Sequence, residues 1–128
     1  MGIFDFLKPT PQGGRLSAED REKAIQRWRW IEDQVEIGQP NNLKLAIIEA
    51  DKVLDDALEV FYPGLKHTGE RLIAAKEKFP DRQVYDGLWY GHKVRNIIVH
   101  ETSYDLPSFE AKNIITKYRL GLQQLGLL

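Results

Sequence analysis

NLKLAIIEADKVLDDALEVF, residues 42–61, decides the architecture. Leu43, Ala46, Ile47, Ala50, Val53, Leu54, Ala57, Leu58 and Phe61 recur at intervals of three and four, the spacing that lines one face of an α-helix. A strand alternates at every second residue, and no stretch of the chain does so convincingly. Pro63 and Gly64 end the segment, because proline lacks a backbone donor and glycine favours a turn.

The same period continues on both sides. Ser17 is placed to cap a first helix, with Glu19 and Asp20 at the positive end of its dipole. Ile25, Trp28, Trp30, Ile31 and Val35 give that helix a broad apolar face, and Gly38 and Pro40 stop it. A short third helix is expected from near Thr68 to before Pro80, with Leu72, Ile73, Ala75 and Phe79 inward. A fourth runs from near Asp81 to about Glu101. After TSYDLP, a fifth begins close to Ser108, with Phe109, Ile114, Ile115, Tyr118, Leu122 and Leu125 on its buried face. The reading is all-α, an up-and-down antiparallel helical bundle of four to five helices with short connections. Residues 1–16 read as an N-terminal arm broken by the prolines and glycines of KPTPQGGR, and residues 17–128 as the bundle domain. Ile3, Phe4, Phe6 and Leu7 would let the arm dock on the domain or on a second subunit, against a frayed terminus as the plain alternative.

Composition bounds the function. The 128 residues make one ordinary domain, 42% hydrophobic and 29% charged, with a formal net charge of -1. Any nucleic-acid binding therefore needs a local basic patch. Cysteine is absent, which excludes disulfides, thiolate metal sites and thiol nucleophiles and fits a reducing, cytoplasmic setting. No apolar run approaches the roughly 20 residues of a membrane span. MGIFDFLKP lacks the basic start of a signal peptide, and Phe6 stands where a myristoylation signal needs Ser or Thr.

Within the fourth helix, KVRNIIVHE (residues 93–101) sets Arg95, Asn96 and His100 among Val94, Ile97, Ile98 and Val99. At about 100° per residue, Asn96 and His100 are about 40° apart and one turn removed, and His92 continues their row. Arg95 and His100 are about 140° apart, so they converge on a ligand most readily if a second copy of the helix crosses the first. Gly91, one turn before Arg95, costs about 1 kcal/mol relative to alanine in a helix, which points to close helix approach or room for a ligand. Arginine holds phosphate through a planar fork, and histidine transfers protons near neutral pH.

RNIIVH, with LWYGHKVRNIIVHE around it and LAIIEADKVLDDAL before it, resembles the HEPN superfamily (higher eukaryotes and prokaryotes nucleotide-binding domains) over roughly residues 20–126. The resemblance implies a bacterial helical-bundle domain acting as a metal-independent endoribonuclease of a toxin–antitoxin or defence system. In that chemistry the RNA 2′-hydroxyl attacks its own phosphodiester and leaves a 2′,3′-cyclic phosphate. It implies His100 as acid/base, Arg95 as phosphate clamp and Asn96 as a group that orients His100 or binds ribose. His92, Lys93, Glu101 and Tyr104, which flank the motif, are the candidate substrate-binding residues. No metal or cofactor is implied. The implied partners are RNA, a second copy of the chain in a homodimer, and a nucleotidyltransferase-type antitoxin, with no membrane.

Other readings stay open at this point. Arg95 pairing with Glu49, Asp51 or Glu70 would lock the bundle, and His100 with Glu101 would close the helix end. The domain would then be a non-catalytic HEPN-like homodimer binding a nucleotide, RNA or protein, since fold does not determine function. A metal row of His92, Asn96 and His100 has the spacing but no carboxylate. His67 precedes a helix start and reads as a loop residue. Trp28, Trp30 and Trp89 are suited to base stacking, or more simply to packing. Lys93, Arg95, Lys112, Lys117 and Arg119 would form a basic surface, or merely solvated helix faces.

Overall fold

The computed structural model describes residues 13–128, and among the described residues there are five α-helices and no strand. Helix α1 spans Ala18–Ile37, α2 Pro40–Phe61, α3 Thr68–Ala74, α4 Arg82–His100 and α5 Ser108–Gln124. A 3-10 turn, Lys76–Lys78, follows α3. The expected all-α bundle is the fold. No helix among the described residues is long and apolar enough to cross a membrane.

Local chemistry accounts for the helix ends. Ser17 Oγ accepts from the Asp20 amide at 3.0 Å while Asp20 Oδ2 accepts from the Ser17 amide at 2.8 Å, a reciprocal cap. Those two bonds hold the Asp20 carboxyl below its ordinary range. Gly38 ends α1 in the left-handed region, φ 73°. Helix α2 begins at Pro40, two residues ahead of the sequence expectation, because the first helical position needs no amide hydrogen. Asp81 caps α4 through the Gln83 amide at 2.9 Å.

Helix α2 is the centre, packed against α1, α3, α4 and α5. Ala46, Ile47, Ala50, Leu54 and Leu58 are sealed completely. Two arginines fasten the neighbours of α2 from either side. Arg27 on α1 bonds Glu49 at 3.0 Å and Asp56 at 2.8 Å, while Arg71 on α3 bonds Asp55 at 2.7 Å and the Leu65 carbonyl at 2.6 Å. Leu16 is a core residue and the Gly14 amide donates to the Val60 carbonyl at 2.8 Å, so the end of the arm is part of the packed domain. The proposed docking residues Ile3, Phe4, Phe6 and Leu7 lie outside the described residues.

Two apolar positions expected inward are not: Ile73 and Phe109 are 67% and 71% exposed. Helical phase explains this. Phe109 lies about 180° around α5 from the mean direction of Ala111, Ile114, Tyr118 and Leu122, and Ile73 opposes Arg71, Leu72 and Ala75 similarly. Gly91 bears out the inference of close approach. A Cβ there would fall 2.6 Å from Tyr118 Cε2, so the missing side chain lets α5 seat a tyrosine directly against α4.

Candidate functional site

Asp51 lies one turn after Ile47 and one turn before Leu54, within the apolar lane of α2, and only 4% of its side chain is exposed. A buried carboxylate requires partners, since leaving one unpaired costs several kcal/mol. Two other helices supply them. From α5, the Tyr118 hydroxyl donates to Asp51 Oδ1 at 2.7 Å. From α4, His92 Nδ1 lies 3.1 Å from Oδ1 and 3.3 Å from Oδ2, and Arg95 Nε lies 3.7 Å from Oδ2. Burial first, and the Asp51 charge second, push the Tyr118 phenol well above its ordinary value. It is therefore a standing donor at neutral pH.

Arg95 connects this interior to the surface. Its Nε is sealed from solvent without a hydrogen-bond partner among the described residues, while its side chain as a whole is 36% exposed. Nη1 donates to Asn96 Oδ1 at 3.0 Å. Of the three carboxylates suggested as partners, Asp51 is the one beside it, and Glu49 is engaged by Arg27. The guanidinium is thus held at the Asp51 end and the Asn96 end, with part of its fork facing solvent.

His100 is the last residue of α4 and is exposed, as is Glu101, whose amide closes the helix by donating to the Ile97 carbonyl at 2.8 Å. Asn96 is half-buried, one turn from both His92 and His100. Lys93 is exposed on the outer face. Tyr104 is half-buried against the core, its amide donating to the Glu101 carbonyl at 3.1 Å. His92 and Arg95 therefore share the α4 edge that faces α2, with Asn96 bonded to Arg95 beside it, whereas His100 stands farther round toward solvent.

The basic surface suggested by sequence is divided. Lys112 and Arg119 line a cleft of about 280 Å³ against α1, beside Glu32 and Glu36, whereas Lys117 packs its methylenes over Gly87 on α4. Trp28 is a core residue, and Trp89 stands edge-on to Tyr85 and His92. Asp51 appeared in the sequence reading only as one partner for Arg95, and Tyr118 only as an apolar contact. The available signal was an acid standing in the apolar lane of α2 with no basic residue three or four positions away to answer it.

No family model, curated protein or solved structure matches the chain.

Proposed function

We propose that Arg95, Asn96 and His100 of α4 serve an RNA-phosphate site and that the chain is a HEPN-like, metal-independent endoribonuclease working as a homodimer. The supporting observation is the state of Arg95: fixed at Asp51 and Asn96, yet 36% exposed. An arginine immobilised with free fork hydrogens meets a phosphate without first losing side-chain freedom. Arg95 then holds the non-bridging oxygens as charge builds on phosphorus, and Asn96 positions Arg95. His100, exposed at the helix end, transfers a proton, while the 2′-oxygen bonds to phosphorus and the 5′-oxygen departs.

Arg95 and His100 diverge by about 140° on one helix, so a second α4 crossing the first would complete the site. Ile97 and Val99, 37% and 46% exposed beside the motif, supply apolar area for such a contact. A toxin or defence role with a nucleotidyltransferase-type partner, in a bacterial cytoplasm, is the setting that the resemblance to HEPN domains implies.

The proximity of Arg95 to buried Asp51 favours a second reading, in which the arginine locks the bundle and the dimer binds RNA, a nucleotide or protein without cutting. Incubating purified protein with diverse single-stranded RNAs in EDTA separates the two. Cleavage leaving 2′,3′-cyclic phosphate ends is expected. Intact RNA, from protein that is folded and dimeric by light scattering, would overturn the endoribonuclease in favour of the binding module.

A further inference from the structure

Among the described residues, His92 is the one histidine whose ring is held by a buried carboxylate. Nδ1 faces Asp51 at 3.1 and 3.3 Å, and only 12% of the side chain is exposed. The groups around it favour Nδ1 as the donor to Asp51. Asp51 on α2 carries one negative charge, already answered by Arg95 on α4 at 3.7 Å. Tyr118 on α5 donates to the same carboxylate at 2.7 Å. The Trp89 ring stands edge-on, 6.1 Å away between centroids. Donation of Nδ1–H to Asp51 matches the carboxylate as an acceptor, and in the neutral ring it leaves the lone pair on Nε2. That nitrogen has no hydrogen-bond partner among the described residues, and it is not among the polar atoms sealed from solvent without one. A histidine oriented by a carboxylate through Nδ1, with Nε2 open, is arranged to accept a proton.

Resting on the endoribonuclease reading, we infer that His92 is the general base of the site and that His100 is confined to the role of general acid. His92 is one turn from Asn96 and shares its edge with Arg95, so a phosphate held by Arg95 brings a neighbouring ribose within reach of Nε2. The 2′-hydroxyl gives its proton to His92 Nε2 as the 2′-oxygen bonds to phosphorus. The bond from phosphorus to the 5′-oxygen breaks, and that oxygen takes a proton from His100. Protons and charge balance, and no co-reactant is required. Asp51 acts as a positioning residue: it fixes the His92 tautomer and does not itself touch substrate.

Two substrates separate the base from the acid. An RNA oligonucleotide has a 5′-alkoxide leaving group that needs a proton, whereas uridine 3′-(4-nitrophenyl phosphate) releases a phenolate that does not. His92→Gln has no basic nitrogen but carries an amide N–H on a flexible side chain long enough to reach Asp51, and a thermal melt checks that the fold is kept. His92→Gln is expected to lose about 10² to 10⁴ in kcat on both substrates, and His100→Ala a similar factor on RNA alone. A His92→Gln protein as active as wild type on both overturns the inference and leaves the endoribonuclease standing. An equal loss by His100→Ala on both substrates also overturns it, by making His100 the base. Folded wild-type protein that cleaves neither substrate removes the endoribonuclease reading and the role of His92 with it.

Discussion

Tyr118 and Asp51, 67 residues apart, meet in the interior through a 2.7 Å hydrogen bond that ties α5 to α2. The tyrosine reaches that position across the backbone of Gly91 on α4, where a Cβ would lie 2.6 Å from its ring. Three helices are thereby registered to one carboxylate, and the same carboxylate supports His92 and Arg95.

Replacing Asp51 should destabilise the whole bundle. Asp51→Ala leaves the Tyr118 hydroxyl and His92 Nδ1 without their acceptor and removes the charge that faces Arg95, a loss of about 3 kcal/mol. For a domain of this size the melting temperature should fall by about 10 °C. Asp51→Asn, which keeps one acceptor oxygen, should lose less. Equal melting temperatures for Asp51→Ala and wild type would show that the network contributes nothing to stability.

The glycines of α4 should respond differently to alanine. Gly91→Ala drives a methyl into the buried Tyr118 ring, and overpacking of about 1–3 kcal/mol outweighs the helix-propensity gain. At Gly87 the new Cβ meets only Lys117 methylenes, at 3.2–3.3 Å, and that chain is able to swing away. Gly87→Ala should be neutral, or stabilising by up to about 1 kcal/mol. Urea titration of both variants checks the ordering.

Alkaline pH should loosen the core through Tyr118. Its phenol is raised in the folded state by burial and by Asp51. Its contribution is therefore fully present below the unfolded value of about 10, and it is lost as pH climbs from there toward the folded value. Melting temperatures measured from pH 8 to 11 should fall more steeply for wild type than for Tyr118→Phe. Parallel curves would remove Tyr118 as the cause.

Arg95 and His100 should separate stability from chemistry. His100 is exposed, so His100→Ala should leave the melting temperature nearly unchanged while RNA cleavage drops about 10² to 10⁴-fold. Arg95→Ala should lower both, because it removes the charge beside buried Asp51 as well as the phosphate clamp. Asn96→Ala should lose less activity than either, since Asn96 only steadies the guanidinium. Unfolding of Arg95→Ala, together with inactivity of wild type, would favour the binding module.

Dimerisation is measurable directly. Light scattering across micromolar concentrations should give twice the chain mass, and charged substitutions at Ile97 and Val99 should shift the equilibrium to monomer. A monomer throughout would remove the composite site.

Five helices, the cap at Ser17, the start of α4 near Asp81 and the close approach at Gly91 were legible in the chain because they depend on local spacing. A residue's helical phase follows from its neighbours three and four positions away, and a cap from residues two or three away. Where one helix alone had to decide burial, the reading failed at Ile73 and Phe109, since an apolar side chain does not reveal which face of its helix meets a neighbour. The Arg95, Asn96 and His100 motif was likewise visible, because its members share one helix. The partners of Asp51 were not: Tyr118, His92 and Arg95 are 41 to 67 positions away along the chain. Whether a charge inside an apolar lane is answered, and by which groups, depends on how three helices are rotated against each other. That rotation is set by packing across the whole core, so only the tertiary structure joined the acid on α2 to the motif on α4.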